Sequence, residues 1–413
     1  MKLPGISLVS MAILLIWGIC QADTIHVPDD YATIQAGIDA ATGGDTVLVS
    51  DGTYSGDGNR DIDFTGKAIV VKSENGPVFT LIDCGGNTDD PHRGFYFHSG
   101  EDSSSIVQGF TITTGWTTLG GGIYCRGSSP TISDNSIIMN TAGGYTYGYG
   151  GAIYCYESSP HVSGNLIMGN TASGNGGGIY SWNSSLTTDG NTIFGNTAEF
   201  LGGGIYCIND TATTVTNSIL WENSAGTGQQ IFLDSGASID VNYCDVDGGW
   251  PGEGNIVADP GFVLQEKLDF RLLWDSPCID AGQPTSSDPD GTIRDMGAYF
   301  FDQDDYLTLY LTPDSRMVQR GGQLGVTYTV INRWSLQVSF WILSRVFAEW
   351  GLALDVLGPL ECTMPASYTV QAHIAHSIPQ VAPLGNYEYR SWIGTPPTVL
   401  YDSDRFLFWV VEQ

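Results

Sequence analysis

Basic side chains are scarce in this sequence: 15 lysines and arginines stand against 45 aspartates and glutamates, for a formal net charge of −30 at pH 7. A chain this acidic repels nucleic-acid phosphates and anionic membranes, so neither is an expected partner. The shortage is deepest between Ile106 and Asp240, where Arg126 is the single basic residue. A lyase acting on polyuronides needs an arginine base and calcium-binding acids, because its substrate is anionic. The charge pattern therefore argues against that chemistry.

Long apolar runs are missing after the first 22 residues, so no later segment is expected to cross a bilayer. Residues 1–22 are predicted to be a secretory signal peptide, with an apolar core over 6–19 and cleavage after Ala22. A lipid anchor on Cys20 is the alternative, and the bulky Ile19 before it disfavours that anchor. The chain is therefore expected to be secreted, extracellular or on the cell surface.

Cysteines are few, and their number is odd once the predicted signal peptide is removed. The seven that remain are Cys84, Cys125, Cys155, Cys207, Cys244, Cys278 and Cys362. An odd count leaves at least one thiol without a partner in the chain. Cys244 and Cys278 could form a disulfide in an exported protein, and buried free thiols are the alternative.

Glycine is abundant, at 54 residues, and much of it belongs to one phrase that occurs four times. The phrase reads Gly-Gly-Gly/Ala-Ile-Tyr-Cys/Ser, and its copies cover 120–125, 150–155, 176–181 and 202–207. The copies follow one another at steps of 30, 26 and 26 residues. Each repeat holds three apolar runs that are strand-length and too short for helices. A period of this size predicts stacked coils of a parallel β-solenoid.

Stacked coils would place equivalent residues in columns with a spacing of about 4.8 Å. Because side chains alternate along a strand, the isoleucine and the Cys or Ser two positions later should both point inward. The two predicted inward columns are Ile123, Ile153, Ile179, Ile205 and Cys125, Cys155, Ser181, Cys207. Asparagine suits a turn and can bond a stacked amide, and the predicted turn column is Asn135, Asn165, Asn191 and Asn217.

The repeats belong to a longer domain, predicted over residues 23–302 with roughly ten coils. Near its start, a short helix with Ile34 and Ile38 on one face fits a cap over the open first coil. Residues 231–302 are interpreted as decayed coils. From 303 to 413 the glycine repeats stop, and alternating runs at the spacing of a sandwich predict a separate Ig-like β-sandwich.

The repeats resemble the right-handed parallel β-helix of the pectate-lyase-like superfamily, in its secreted bacterial form, over roughly residues 24–302. They also resemble polymorphic outer-membrane adhesin repeats, which carry Gly-Gly-Ala-Ile, matched at 150–153, and Phe-x-x-Asn. This chain has Ile-x-x-Asn instead, at Ile137, Ile167 and Ile193. The expected fold is all-β: a right-handed parallel β-helix with an N-terminal helical cap, followed by a C-terminal β-sandwich. Function stays open, because this fold carries lyases, hydrolases, adhesins and binding scaffolds.

The tyrosine of each phrase lies between two inward side chains and is therefore expected to point outward. Two residues further on, a second outward column includes Tyr156 and Trp182. Rings spaced at about 4.8 Å on a sheet suit stacking on sugar rings. The candidate ligand-binding residues are Tyr124, Tyr154, Tyr156, Tyr180, Trp182 and Tyr206. The alternative is that long turns, such as 143–150, fold over this face and cover it.

Acidic side chains offer candidates for catalysis and for metal binding. Asp134 and Asp189 would lie roughly 10 Å apart, at the long end for an inverting glycosidase. Solvated turn residues are the alternative. Two glycine-containing loops could hold structural calcium, although neither completes an EF-hand loop. Their candidate ligands are Asp57, Asn59, Asp61, Asp288, Asp290 and Asp295. No other cofactor is expected, and no catalytic residue is assigned.

Three functions fit these observations. The first is a non-catalytic exported scaffold, expected to be monomeric, that binds an extracellular polysaccharide or cell-surface glycan or mediates adhesion. The second is a polysaccharide lyase or glycoside hydrolase, and the third is a structural spacer. An exposed aromatic face without paired acids favours the first, converging carboxylates favour the second, and fully covered aromatics favour the third.

Overall fold

The computed structural model describes residues 22–209, 212–348, 350–395 and 399–412. Within them the chain forms a parallel β-helix of about eight turns, followed by a C-terminal β-rich region. The prediction of an all-β fold with a parallel β-helix ahead of a β-sandwich is confirmed. The signal peptide predicted over 1–22 lies outside the described residues, apart from Ala22.

Each complete coil places one strand on each of four faces, numbered here in the order in which the chain visits them. The nine strands of face 1 are Thr24–Val27, Thr46–Val49, Val70–Ser73, Ile106–Gln108, Thr131–Ser133, His161–Ser163, Thr187–Asp189, Ala212–Thr216 and Ser238–Asn242. The eight strands of face 2 are Gly52–Ser55, Thr80–Asp83, Thr111–Thr113, Ser136–Ile138, Leu166–Met168, Thr192–Phe194, Ile219–Trp221 and Asp245–Val246.

The other two faces are shorter. The four strands of face 3 are Trp116–Thr117, Thr141–Ala142, Thr171–Ala172 and Thr197–Ala198. The six strands of face 4 are Phe95–Phe97, Ile123–Arg126, Ile153–Tyr156, Ile179–Trp182, Ile205–Ile208 and Ile231–Leu233. The sequence predicted three strands per repeat and missed face 3, because two paired residues are too few to show an apolar pattern.

The inward columns of face 4 are those that strand alternation predicts. All of the following are fully buried: Ile123, Ile153, Ile179, Ile205, Cys125, Cys155, Ser181 and Cys207. Each pairs in parallel register with its counterpart in the next coil. Phe95 and Phe97 continue both columns one coil earlier. The interior is therefore a single apolar stack, whose removal from water stabilises the coils.

Two columns of buried asparagine turn the chain at the corners on either side of face 2. Their members are Asn135, Asn165 and Asn191 at one corner and Asn140, Asn170, Asn196 and Asn223 at the other. The Oδ1 atom of Asn170 accepts hydrogen bonds from the backbone N of Asn140 at 2.9 Å and from its Nδ2 at 3.1 Å. The Nδ2 atom of Asn170 donates to the Ile137 carbonyl at 2.8 Å. A slip in register would leave these buried groups without partners, at a cost of about 1–3 kcal/mol each.

The predicted fourth member of the first column, Asn217, does not belong to it. The register of face 2 puts Ser218 there instead, and its Oγ accepts a hydrogen bond from the Asn191 backbone N at 3.1 Å. Asn217 has a left-handed backbone (φ 50°) and donates from Nδ2 to Asp189 at 2.7 Å. The prediction was wrong by one position because one extra residue enters the coil between faces 4 and 1.

Glycine opens each strand of face 4 for two separate reasons. Gly150 has a φ of +68°, and a Cβ added there would lie 2.4 Å from the carbonyl oxygen of Ile153. A Cβ on Gly151 would lie 2.2 Å from the carbonyl oxygen of Gly177 in the next coil. The first glycine provides the left-handed turn and the second lets neighbouring coils approach, which explains the repeated phrase.

The predicted N-terminal helix spans Ile34–Ala40. The Oγ1 of Thr33 accepts a hydrogen bond from the Ala36 backbone N at 3.2 Å and so caps the helix N-terminus. Ile34 and Ile38 are both fully buried. That the helix acts as a cap for the solenoid stays a prediction. Across the described ranges, no helix is long and apolar enough to cross a membrane.

After Ile256 the chain stops forming coils. Strands Phe262–Leu264 and Asp269–Leu272 pair antiparallel around the 3₁₀ helix Gln265–Lys267. The prediction of decayed coils as far as residue 302 is wrong here, and the solenoid has about eight turns rather than roughly ten. The segment instead packs against an outward apolar column of face 2, made of Ile138, Met168, Phe194 and Trp221. Covering that column removes apolar surface from water.

The C-terminal region consists of two sheets around one core. The strands of the smaller sheet are Leu307–Pro313, Gln323–Asn332 and Tyr368–Ser377. The strands of the larger sheet are Met317–Gln319, Val338–Ala348, Ala353–Met364, Gly385–Thr395 and Val399–Val411. Leu309 and Tyr328 of the smaller sheet meet Phe340 of the larger one in the core. The sequence missed Ala353–Met364, because this edge strand is mostly exposed and shows no alternation.

Arg271 connects the antiparallel pair that follows the β-helix to the sandwich. Its guanidinium lies 2.7 Å from Asp269 on its own strand and 2.6 Å from Asp404 of the sandwich. It also lies 4.2 Å from the ring centroid of Tyr310. Burial alone would lower the pKa of Arg271, but the two carboxylates hold it well above its ordinary value. The charge therefore stays on the guanidinium and fixes the two domains against each other.

We expect Asn170→Ala to lower the free energy of unfolding by roughly 2–5 kcal/mol, because it leaves the buried Asn140 N–H and Ile137 carbonyl unpaired and breaks both amide–amide bonds of the column. Thr171→Ala is the matched control, since Thr171 is exposed on the adjacent strand and should change stability by about 0.5 kcal/mol or less. Urea unfolding followed by circular dichroism measures both. Equal midpoints for the two variants would show that the amide column does not hold the coils in register.

Candidate functional site

Aromatic rings stack in one column along the outer side of face 4. The column runs through Tyr96, Tyr124, Tyr154, Tyr180, Tyr206 and Phe232, with neighbouring ring centroids 4.8–5.9 Å apart. Most of the pairs are stacked, and the pair Tyr124–Tyr154 meets edge to face. The spacing follows that of the coils, so each ring is packed between the rings above and below it.

Turns cover most of this tyrosine column. The exposed fractions of Tyr154, Tyr180 and Tyr206 are 3%, 5% and 2%. The turn residues packed on them are Leu119, Tyr149 and Leu201. The expectation of an open aromatic face is therefore wrong at these three tyrosines, and the alternative of covering turns is the one observed. Tyr124 is half-buried.

The sequence contains a pattern that predicts the covering of the tyrosine column by turns. An apolar residue stands directly before three of the four repeated phrases, as Leu119, Tyr149 and Leu201. Leu119 and Tyr149 form a parallel bridge, and the Tyr149 ring centroid lies 5.2 Å from that of Tyr180. The remaining phrase, the third copy at 176–181, has Asn175 at this position. An apolar column ahead of a glycine corner thus marks a turn that folds back over the sheet.

A second outward column on face 4 remains accessible. In register it contains Arg126, Tyr156, Trp182 and Ile208. Trp182 is 36% exposed and Tyr156 is half-buried, and their ring centroids lie 5.3 Å apart with perpendicular planes. Arg126 is exposed beside them. We call Arg126, Tyr156 and Trp182 the aromatic edge, and it contains two of the six residues proposed as ligand-binding from the sequence.

Burial controls the ionisation of the tyrosine column. It raises the pKa of Tyr154, Tyr180 and Tyr206 well above the ordinary value of a phenol. The hydroxyl of Tyr206 donates to Asp234 at 2.7 Å, and this hydrogen bond lowers the pKa of Asp234. The Arg93 guanidinium lies 5.2 Å from the ring centroid of Tyr124. The column is therefore neutral at physiological pH and behaves as part of the core.

The two carboxylates considered for glycoside hydrolysis are engaged separately. Asp134 accepts a hydrogen bond from Gln108 at 2.8 Å. Asp189 accepts one from Thr216 at 2.9 Å and lies 3.3 Å from Arg294. The register of face 1 also places Asp134 one residue beyond the position aligned with Asp189. The arrangement thus supports the alternative that these are turn residues with local partners.

The first loop considered for calcium uses its polar side chains in separate contacts. The pairs are Asp57 with Arg60 at 3.2 Å, Asn59 with the Ile34 backbone N at 3.0 Å, and Asp61 with His92 at 2.5 Å. Asn59 is buried and attaches the loop to the N-terminal helix. The three side chains therefore point to three different partners rather than to one centre.

The second loop considered for calcium uses its carboxylates to bind backbone N–H groups. Asp288 accepts from Asp295 at 2.6 Å, and Asp290 accepts from Gln303 at 2.9 Å. Asp295 accepts from Phe301 at 2.7 Å, and burial raises its pKa to about 7. Within the described part of the chain, no group of three or more His, Cys, Asp or Glu side chains is arranged to hold a metal. Structural calcium stays a prediction.

Six of the cysteines that follow the predicted signal peptide are free thiols: Cys84, Cys125, Cys155, Cys244, Cys278 and Cys362. Cys278 donates to Asp245 at 3.4 Å, and Cys244 donates to the Asn242 carbonyl at 3.2 Å. Burial raises the pKa of Cys244 to about 12, which makes it a poor nucleophile. The alternative of buried thiols is thus observed for Cys244 and Cys278, rather than a disulfide.

Comparison with known proteins gives one family match. The Chlamydia polymorphic membrane protein (Chlamydia_PMP) repeat matches residues 166–181. This stretch starts on face 2, turns at Asn170, crosses face 3 and ends on face 4 at Ser181. The match thus covers three faces of one coil and includes Tyr180 of the tyrosine column. No curated protein matches the chain.

Three solved structures among those that match show faint likenesses to the chain. Spo0M, a sporulation control protein from Bacillus subtilis, shares 10% identity at a TM-score of 0.22, covering 26% of this chain and 50% of that one. The alkylpurine DNA glycosylase AlkC from Pseudomonas fluorescens shares 8% at 0.21, covering 25% and 30%. A Niemann-Pick type C2 protein from Japanese carpenter ant shares 7% at 0.20, covering 23% and 79%. Scores this low carry no argument about fold or function.

We expect the double substitution Tyr154→Ala and Tyr180→Ala to lower the free energy of unfolding by about 3–5 kcal/mol or more, because both rings are buried. Tyr145→Ala is the control, since Tyr145 is 96% exposed and should change stability by about 0.5 kcal/mol or less. Thermal unfolding and urea titration measure the difference. A double variant as stable as the wild type would show that the covering turns contribute no packing energy.

The tyrosine column also predicts a pH dependence. Its phenols have raised pKa values in the folded state and an ordinary value of about 10 when unfolded. Their stabilising contribution is therefore complete below pH ~10 and is lost as the pH rises above it. Tyrosinate absorbance should lag behind that of exposed tyrosines until circular dichroism reports unfolding. Ionisation of every tyrosine near pH ~10, with the fold intact, would contradict the burial described here.

Proposed function

We propose that this protein is a non-catalytic, exported scaffold of the cell surface or extracellular space that binds glycans through the aromatic edge. The observation that carries the proposal is the accessible pair Tyr156 and Trp182 on face 4, beside the exposed Arg126. Rings with one free face stack on the apolar face of a sugar, and a neighbouring guanidinium can donate hydrogen bonds to its hydroxyls.

The position of the pair supports this role. Tyr156 and Trp182 occupy consecutive coils, and their Cα atoms are register partners in a rigid parallel sheet. The spacing of such strands, about 4.8 Å, is close to the length of one sugar ring, so an extended glycan can follow the solenoid axis. The buried tyrosines beneath the turns keep this sheet stiff and hold the aromatic edge in place.

A surface location is supported by the match to a repeat of polymorphic membrane proteins and by the signal peptide expected from the sequence. The net charge of −30 keeps a single chain soluble and disfavours association, in agreement with the expected monomer. The C-terminal sandwich is proposed to be an Ig-like accessory module that rests on face 2 of the β-helix.

The enzymatic alternative receives less support from the same geometry. Asp134 and Asp189 each have their own local partners, and neither faces a second carboxylate across face 1. A glycosidase needs two carboxylates on opposite sides of the scissile bond. We therefore propose a binding protein rather than a polysaccharide lyase or hydrolase, and the spacer is the outcome expected if no glycan binds.

The test is a glycan array with the wild type, followed by titration calorimetry of the best binder. Trp182→Ala should weaken binding about tenfold or more, since loss of an aromatic anchor costs roughly 2 kcal/mol. Tyr156→Ala should weaken it to a smaller extent. Trp350→Ala removes another exposed tryptophan, from the sandwich, and should leave binding unchanged.

Three outcomes would overturn the proposal. Wild-type protein that binds no glycan on a broad array would leave the spacer. Release of shorter or unsaturated products from the bound polysaccharide would establish the enzyme instead. Equal weakening by Trp182→Ala and Trp350→Ala would place the glycan somewhere other than the aromatic edge.

A further inference from the structure

A cavity of about 600 Å³ lies between the β-helix and the sandwich. Its walls include the strand residues Asp269 to Arg271 and the sandwich segments 311–316 and 404–406. Ligand sites prefer domain interfaces, and this volume falls within the roughly 300–1,000 Å³ of small-molecule pockets. We call it the junction cavity. It lies against face 2, apart from the aromatic edge on face 4.

The junction cavity departs from the acidity of the rest of the chain. Its basic residues are Lys267, Arg271, Arg316 and Arg405, and its acidic residues are Glu266, Asp269, Asp314 and Asp404. Bases and acids are thus equal in number here, whereas the chain has 45 acids and 15 bases. A neighbouring cavity of about 500 Å³ shares Arg271 as its basic residue and is lined by five aspartates. Of these two cavities, the junction cavity is therefore the one in which an anion meets no excess of negative charge.

Within the described ranges, one of these cations forms no ion pair. The ion pairs of the other three are Lys267 with Asp314 at 2.6 Å, Arg271 with Asp404 at 2.6 Å, and Arg405 with Glu388 at 3.6 Å. Among the described residues, Arg316 forms no ion pair, and its Nη1 donates to the Leu407 carbonyl at 3.2 Å. A guanidinium carries five N–H donors, so the fork of Arg316 retains donors for a ligand. Burial lowers the pKa of Arg316 to about 10, although the negative charges of Asp404 and Asp269 act in the opposite direction.

The mouth of the junction cavity is apolar. Val78, Met139 and Leu268 are 42%, 53% and 45% exposed and come from three separate segments of the chain. Phe270 lines the wall behind them. Large apolar side chains that stay exposed and meet at one cavity mark a surface that binds an apolar group.

Met139 has a backbone conformation that methionine rarely adopts. Its φ is +54°, in the left-handed region, and the equivalent residues of the next two coils are Gly169 and Gly195. Glycine adopts this conformation without strain, whereas methionine does not. Thr114 and Glu222 hold the same position in two further coils and also have a left-handed φ, of 56° and 53°. Of these five residues, Met139 is the one that lines the junction cavity.

We propose that the junction cavity binds a small organic carboxylate, with the carboxylate on the guanidinium of Arg316 and the apolar body against Met139 and Phe270. The planar fork of arginine matches the two oxygens of a carboxylate, which makes such pairs directional as well as strong. The site is independent of glycan binding at the aromatic edge.

Titration calorimetry of the intact protein with benzoate and hexanoate tests the proposal, with benzamide and hexanamide as uncharged analogues of the same shape. The carboxylates should bind at least tenfold more tightly than the amides. Arg316→Gln should remove that preference. Lys72→Gln removes one positive charge from face 1 and should behave as the wild type, which separates a specific contact from a change in net charge.

A second variant tests the apolar wall. Met139→Gly should keep or raise the thermal midpoint, because the strained φ is relieved, and should weaken hexanoate binding. Equal binding of carboxylates and amides, no binding of benzoate or hexanoate by the wild type, or unchanged binding by a folded Arg316→Gln would each overturn the proposal. If Arg316→Gln does not fold, Arg316→Lys keeps the charge without the fork, and wild-type affinity in that variant would equally overturn it.

Discussion

The repeated coils of the β-helix depend on the pairing of buried asparagine amides at two of their corners. An asparagine side chain carries both a donor and an acceptor, so Asn170 satisfies a backbone N–H and a carbonyl of the preceding coil. The penalty for leaving such groups unpaired in a dry interior is what makes one register far better than all others. The regular coils end where the asparagine columns end. Ser218 takes the place of asparagine at one corner, and Gln230 bonds Asn223 at the other. The amide columns begin at Asn135 and Asn140 and thus belong to the regular repeats rather than to the first coils of the solenoid.

The four faces differ in what covers them, and this decides where the protein can meet other molecules. Face 2 carries apolar residues outward and is covered by the antiparallel pair and the sandwich. Face 4 carries a tyrosine column outward, and its own turns cover most of it. Face 1 presents small polar residues such as Thr131 and Thr187, which need no cover. The aromatic edge and the junction cavity stay accessible, because they lie beside the segments that cover faces 4 and 2.

Strand alternation and the repeat period were enough to predict the interior from the sequence, because both follow from local geometry. Ile153 and Cys155 had to point inward once the strand was recognised. The same alternation placed Tyr154 outward. Whether its side chain is exposed depends on the path of the turn that contains Tyr149, and the repeat period does not predict that path. The ion pair between Arg271 and Asp404 was also beyond the sequence, because it joins residues 133 positions apart. Burial by tertiary cover and long-range charge pairing are the two effects that a repeat pattern does not contain.

The turn that leads into face 4 differs in length between two neighbouring coils, and the strands around it are unaffected. Eleven positions separate Ala142 from Ile153, and seven separate Ala172 from Ile179, yet the strands on both sides stay in register. The additional residues project outward and include the almost fully exposed Tyr145. Length at this turn is therefore free to change while the interior stays the same. Descendants of this chain can vary what they display here at little cost to folding, and a foreign peptide inserted at Tyr145 would be presented on a rigid rod.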